Sequence, residues 1–159
     1  MKARILHTEE RIFVGMKREM TFASDTTREL WKSFMEAKDA VNNRIGKEYY
    51  SIQVYHSSFS FKDFNPHIPF YKWAAVEVSD FNTIPGEMEK FVLPEGKYAV
   101  FNHRGGPAKA PETFGYIFGQ WLPESEFILD NRPHFEVLGE KYSNDKPDSE
   151  EEIWIPVRD

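Results

Sequence analysis

The sequence contains no cysteine. No disulfide, thiolate nucleophile or thiolate metal ligand is therefore available, which suits a reducing compartment. No run approaches the roughly 20 apolar residues a membrane helix requires, and the opening MKARILHTEE lacks the apolar stretch of a signal peptide. Basic residues are outnumbered, 20 Lys and Arg against 26 Asp and Glu, for a formal net charge of −6, and they form no long stripe. Gripping a phosphate backbone needs such a stripe, so direct nucleic-acid binding is not expected. A cytoplasmic protein without membrane contact is the expectation.

Motifs of known chemistry are equally scarce. His7, His56, His67, His103 and His134 show neither HxH nor HExxH spacing, so neither a metal nor a cofactor is expected. There is no GxSxG elbow, and Gly105-Gly106-Pro107 lacks the GK[ST] ending that phosphate binding needs.

Aromatic residues are abundant, at 16% of the chain, with 14 Phe, 7 Tyr and 4 Trp. Such an excess lines pockets or interfaces as well as filling a core. At 159 residues the chain can build one substantial core and is short for two.

The hydrophobic pattern runs twice through the same order. Arg11 to Met20 reads as a strand, and Thr26 with Glu29 suggests a capping box opening a helix that carries Leu30, Trp31, Phe34 and Val41. Strands follow at Tyr49 to His56 and Tyr71 to Val78. In the second half, Lys97 to His103 is a strand, and Pro111 suits a first helical turn. Phe114, Ile117, Phe118, Trp121 and Leu122 then form an amphipathic stripe that Pro123 is expected to stop. His134 to Glu140 and Glu151 to Val157 complete the set. The expectation is one α+β domain over residues 1–159, with repeats at about 11–79 and 95–158 and a connector at about 80–94. Each repeat is strand, helix, strand, strand, related by a pseudo-twofold axis.

Three stretches, LPEGKYAVFNHRGGP, PETFGYIFGQWLPES and HFEVLGEKY…DSEEEIWIPV, resemble the second half of the GyrI-like small-molecule-binding domain. RIFVGMKREM, ELWKSFM and YKWAAVEV fit its first half more loosely. That domain serves as the effector-binding module of AraC-type and MerR-type regulators and also stands alone. The resemblance implies two SHS2-like units around a central groove, multidrug-type small-molecule binding, and a glutamate on the EIxIP strand at the groove floor. Relatives carry a DNA-reading segment before the domain; here the pattern begins by residue 11, so a stand-alone effector domain is expected.

Candidate site residues follow from strand phase. Ile153, Ile155 and Val157 are assigned to the helices, which leaves Glu152 and Trp154 together on the opposite face. Glu150 and Glu151 read as a solvated approach. Trp73 is expected on the facing wall, with Tyr71 and Ala75 in phase, and Tyr49 on the non-core phase of its own strand. Trp31 reads equally as core or pocket, Tyr116 as pocket or solvent-facing, and Glu77 as a rim residue. A carboxylate among aromatic walls pays a desolvation cost that a ligand cation relieves, and each wall adds cation–π attraction of ~0.5–2 kcal/mol. The leading reading is a non-enzymatic binder of amphipathic, cationic aromatic compounds, with Glu152 as the charge. Hydrolysis of reactive cyclopropane-bearing compounds by the same glutamate is the first alternative, implied by the family. A protein-interaction or gyrase-inhibitor role is the second; a homodimer stays open.

Overall fold

A computed structural model describes residues 1–56, 60–143 and 146–159. Among the described residues, nine strands and three α-helices follow one another as β1 Ala3–Thr8, β2 Arg11–Met20, α1 Thr27–Ala37, β3 Tyr49–Tyr55, β4 Phe70–Glu77, β5 Glu89–Leu93, β6 Gly96–Arg104, α2 Ala110–Tyr116, α3 Leu122–Glu124, β7 Ile128–Leu129, β8 His134–Leu138 and β9 Glu150–Arg158. Between α2 and α3 the helix continues through a wide π turn, Ile117–Trp121. Pro123 therefore sits inside the last short turn rather than ending the helix before it.

All pairings are antiparallel, in the order β1-β6-β9-β8-β3-β4-β2-β5, with β7 added on β9. Read from its centre outwards, this order is symmetric: β8 matches β3, β9 matches β4, β6 matches β2, and β1 matches β5. The two strand-helix-strand-strand units are β2-α1-β3-β4 and β6-α2-β8-β9. Each edge strand comes from outside the unit it seals. β1 pairs with β6, and β5, which forms within the expected connector, pairs with β2. Both edges escape sequence reading because they are short and mostly exposed, so they carry weak periodicity.

One sheet face carries the helices. Leu30 and Phe34 of α1 pack on Val14, Met20, Phe70, Ala74 and Val76 of β2 and β4. Ile117 in the π turn packs on Ala99, Phe101, Ile153 and Ile155 of β6 and β9. The capping box does not form: Thr26 makes no side-chain cap bond, and the Asp25 carboxylate instead accepts the Thr27 N–H at 2.8 Å. Before α2, Gly106 takes a positive φ of 72°, and its carbonyl meets the buried His103 Nε2 at 2.7 Å. The other His103 nitrogen meets Thr113 Oγ1 at 2.7 Å, so one imidazole ties the end of β6 to the start of α2.

The opposite, helix-free face curls on itself and is packed solid. Phe13, Tyr50, Ile52, Trp73, Ala75, Leu93, Tyr98, Val100 and Phe135 form one buried cluster there. Its curvature shows in Arg11 of β2, whose guanidinium lies 5.4, 5.2 and 5.8 Å from the rings of Phe13, Tyr50 and Phe135, which belong to three different strands. Arg11 also pairs with both oxygens of Glu77, at 3.0 and 3.1 Å, and donates to the Tyr50 hydroxyl at 2.8 Å. At Gly15, a Cβ would lie 2.3 Å from the Ala74 carbonyl oxygen, so only glycine permits the close approach of β2 to β4.

Candidate functional site

α1 covers β2 and β4, α2 and the π turn cover β6 and β9, and the two central strands β3 and β8 lie between them. Side chains on this strip carry polar groups in mid-strand. The register sets them in rows: Ala74, Ser51, Glu136 and Ile153 lie side by side across β4, β3, β8 and β9. Lys72, Gln53 and His134 make the next row. Glu151 shares the strand face of Ile153 and lies diagonally from Glu136, within reach of a long side chain.

The floor of this strip is acidic. Gln53 Nε2 donates to Glu136 at 2.9 Å and to Ser51 Oγ at 3.0 Å. Burial pushes the Glu151 carboxyl up to about 8, the Glu136 charge adds to the rise, and Lys72 opposes it. Lys72 donates to Thr27 Oγ1 at 2.9 Å, toward the start of α1. Among the described residues, neither Glu136 nor Glu151 has a cation within ion-pair distance. Nearby, burial and the charges of Glu151 and Glu136 push the Tyr142 phenol up to about 12.

One end of the strip is aromatic. Phe61 stacks on Phe118 of the π turn at 4.1 Å with the rings 2° apart, and it meets Tyr55 edge-on at 5.2 Å. The buried His134 ring lies 4.9 Å from Tyr55, and desolvation, reinforced by Arg132, pulls its value down to about 3, so it stays neutral. At the α1 side, Trp31 contacts Tyr49 and Phe34. The strip thus has flat rings at both sides and, between them, two carboxylates that make no ion pair among the described residues.

The sequence-derived candidates divide between the faces. Trp31 and Tyr49 lie on the helix side; Tyr49 faces Phe34 rather than the non-core phase expected of it. Glu152, Trp154, Trp73, Tyr71 and Glu77 lie on the helix-free face. Trp73 is 6% exposed and packs on Phe91 at 5.0 Å, inside the buried cluster. Tyr71 is exposed, with Lys17 Nζ over its ring at 5.1 Å. Glu77, expected at a rim, is committed to Arg11. Glu152 accepts from Arg4 at 2.8 Å and from Trp154 Nε1 at 3.1 Å. Tyr116 packs with the Ile117 cluster, its hydroxyl 3.5 Å from the Met1 carbonyl.

An open depression of about 750 Å³ passes the strand ends, lined by Glu48, Asn102, Val137, Lys141, Glu151 and Glu152 among others, with no aromatic side chain of the described residues in its wall. Glu151, read from sequence as part of a solvated run, is instead half-buried on the groove side. The missed residues, Ser51, Gln53, Glu136 and Glu151, had one sequence signal: polar side chains in phase with apolar strand neighbours. An exposed trio, His7, Glu9 and Glu95, is the one group of potential metal ligands among the described residues. Its imidazole nitrogens stand 3.9 and 3.8 Å from the two carboxylates, which is ion-pair geometry.

The known proteins agree with this architecture. Transcriptional regulator BrlR of Pseudomonas aeruginosa is 26% identical over 158 residues, covering 99% of this chain and 56% of the regulator; the chain thus spans little more than half of that relative. SAV2435, solved bound to tetraphenylphosphonium, superposes with a TM-score of 0.76 at 17% identity, over 99% of this chain and 94% of that one. An integron cassette protein of Vibrio cholerae superposes with a TM-score of 0.70 at 19% identity, over 98% and 95%. The family model for Cass2, integron-associated effector binding protein, matches residues 4–157. The chain therefore belongs to the Cass2 family of integron-associated effector binding proteins, a GyrI-like small-molecule-binding domain.

Proposed function

We propose that this domain binds lipophilic, aromatic cations in the groove between α1 and α2, with Glu136 and Glu151 supplying the charge. The observation that carries the reading is the carboxylate pair itself: two acids on a partly desolvated floor with, among the described residues, no cation within ion-pair distance. A desolvated carboxylate gains most from a ligand cation that loses little hydration, and flat rings accept many scaffolds. Glu152 supports the role less well, because it already holds Arg4 and Trp154. SAV2435 binding a tetraarylphosphonium is consistent with a fold that takes such ligands.

Tryptophan fluorescence titrated with tetraphenylphosphonium, and with neutral triphenylphosphine oxide as control, tests this. Saturable quenching by the cation is expected, with Glu136→Gln weakening it about tenfold or more, the worth of one charge-assisted contact. Glu152→Gln should leave affinity within about twofold. Loss of binding in Glu152→Gln alone would move the ligand to the helix-free side and overturn the assignment.

Hydrolysis is a second reading, favoured by one fact: a carboxyl held near 8 beside Tyr142 can exchange protons at neutral pH. Incubation with a cyclopropane-bearing electrophile followed by product analysis decides it, and unchanged compound argues for binding alone.

A further inference from the structure

Two acids placed diagonally on adjacent strands, with the nearest lysine, Lys72, bonded to Thr27 rather than paired with either, cannot both carry charge cheaply. We propose that Glu136 and Glu151 hold one proton between them while the groove is empty, and that an entering cation displaces it, so that ligand binding and proton release are one event. The inference rests on the cation-binding reading above and adds its regulation.

The geometry gives the proton no other home. Facing Glu151 are Glu136 from β8, His103 from β6, Lys72 from β4 and Tyr142 from the segment after β8. Lys47, Glu48 and Lys141 line the same depression as Glu151, Lys141 pairing with Glu150, and His134 lies farther along β8, beyond Glu136. His134 is neutral by burial, and both His103 nitrogens are engaged with Thr113 and Gly106. Tyr142 keeps its phenol proton well above neutrality. Lys72 is turned toward Thr27 and Asp25. Gln53 donates to Glu136, and burial falls on the Glu151 carboxyl, which makes Glu151 the acid of the pair. When a cation arrives, the O–H bond of the acid breaks, its proton passes to water or buffer, and the second carboxylate joins the ion pair. Charge in the groove is conserved: one cation enters and one proton leaves.

A fixed-charge ligand makes this measurable, because tetraphenylphosphonium has no proton of its own to lose. In the free protein, carboxyl carbon NMR should show Glu151 titrating near 8, and Glu136→Gln should bring that titration down. Calorimetry of tetraphenylphosphonium binding at pH 7, in phosphate and in Tris, should give enthalpies that differ by the release of close to one proton. Affinity should then rise about tenfold per pH unit up to about pH 8 and level off above it. In Glu151→Gln both the buffer dependence and the pH slope should vanish.

Both carboxyls titrating in the ordinary range would overturn the proposal without any ligand. A raised titration with saturable but buffer-independent binding would overturn the displacement while leaving the binding site in place. Absence of saturable binding would overturn the cation-binding reading, and the displacement with it.

Discussion

Glu151 and Glu152 are neighbours in sequence and meet opposite surroundings, because a strand turns successive side chains to opposite faces. Glu152 finds a guanidinium and an indole N–H on the helix-free side, whereas Glu151 meets another carboxylate in the groove. This difference sets a pH dependence of stability. An unperturbed glutamate titrates near 4.5, and Glu151 in the fold titrates near 8. Between those values the folded state binds more protons than the unfolded chain, so the stability from this residue is present below about 4.5 and is lost as pH rises through 8. Thermal denaturation followed from pH 5 to pH 8 should show a falling limb in the wild type, and Glu151→Gln should flatten it. A limb unchanged by that substitution would place its source elsewhere. Among the aromatic candidates, Tyr49 packs on the helix side against Trp31 of α1, while Trp73 is a core residue whose truncation would open a cavity at a cost of about 3–5 kcal/mol.

Elements were legible from the sequence where periodicity was strong, and ambiguous where both phases of a strand were apolar. β2, α1, β3, β4, β6, β8 and β9 all follow from alternation or helical spacing. Which face of β3, β4 and β9 packs under the helices did not follow. Ala74, Val76 and Val78 look like a core stripe and are one, yet Tyr71, Trp73 and Ala75 on the other phase face a second apolar cluster. Strand phase assigns the helix side wholly to the core. Two helices on the outer strands leave β3 and β8 without a helix directly above them, and the polar residues Ser51, Gln53 and Glu136 there are joined by hydrogen bonds. Element junctions carry two predictions. His103→Ala removes a fully buried bridge and leaves Thr113 and the Gly106 carbonyl short of a partner, so urea denaturation should report a loss of about 2–3 kcal/mol. A wild-type midpoint would show that the bridge holds nothing. Gly15→Ala drives a methyl into the β4 backbone, and a loss of about 1–3 kcal/mol or an insoluble product is expected. Soluble protein of wild-type stability would contradict the close approach.

For the whole molecule, the charge-in-an-aromatic-box logic sought for a ligand is already satisfied once, internally. Arg11, with three rings around it and Glu77 across from it, occupies the mouth of the helix-free cluster. That face is therefore a closed core with its own cation, and the opposite face keeps the unpaired carboxylates. Glu77→Ala should cost about 2 kcal/mol, discounted from the ~3–5 kcal/mol of a fully buried pair because both partners stay nearly a fifth exposed. The double variant Arg11→Met with Glu77→Ala should recover part of that loss in equilibrium denaturation, whereas additive losses would deny the coupling. The crossed edge strands have a consequence in time rather than in energy. β1 closes on β6 in a register that sets Ala3 beside Phe101. Translation at roughly 5–20 residues per second makes β1 wait seconds for the strand it seals. Through that interval Ile5 and Leu6 have no lasting neighbour, and the first unit must hold its shape before its own outer strand, β5, has been made. Pulse-labelled hydrogen exchange should accordingly find the amides of β3 and β4 protected before those of β1, with the N-terminal strand the last piece laid against the sheet.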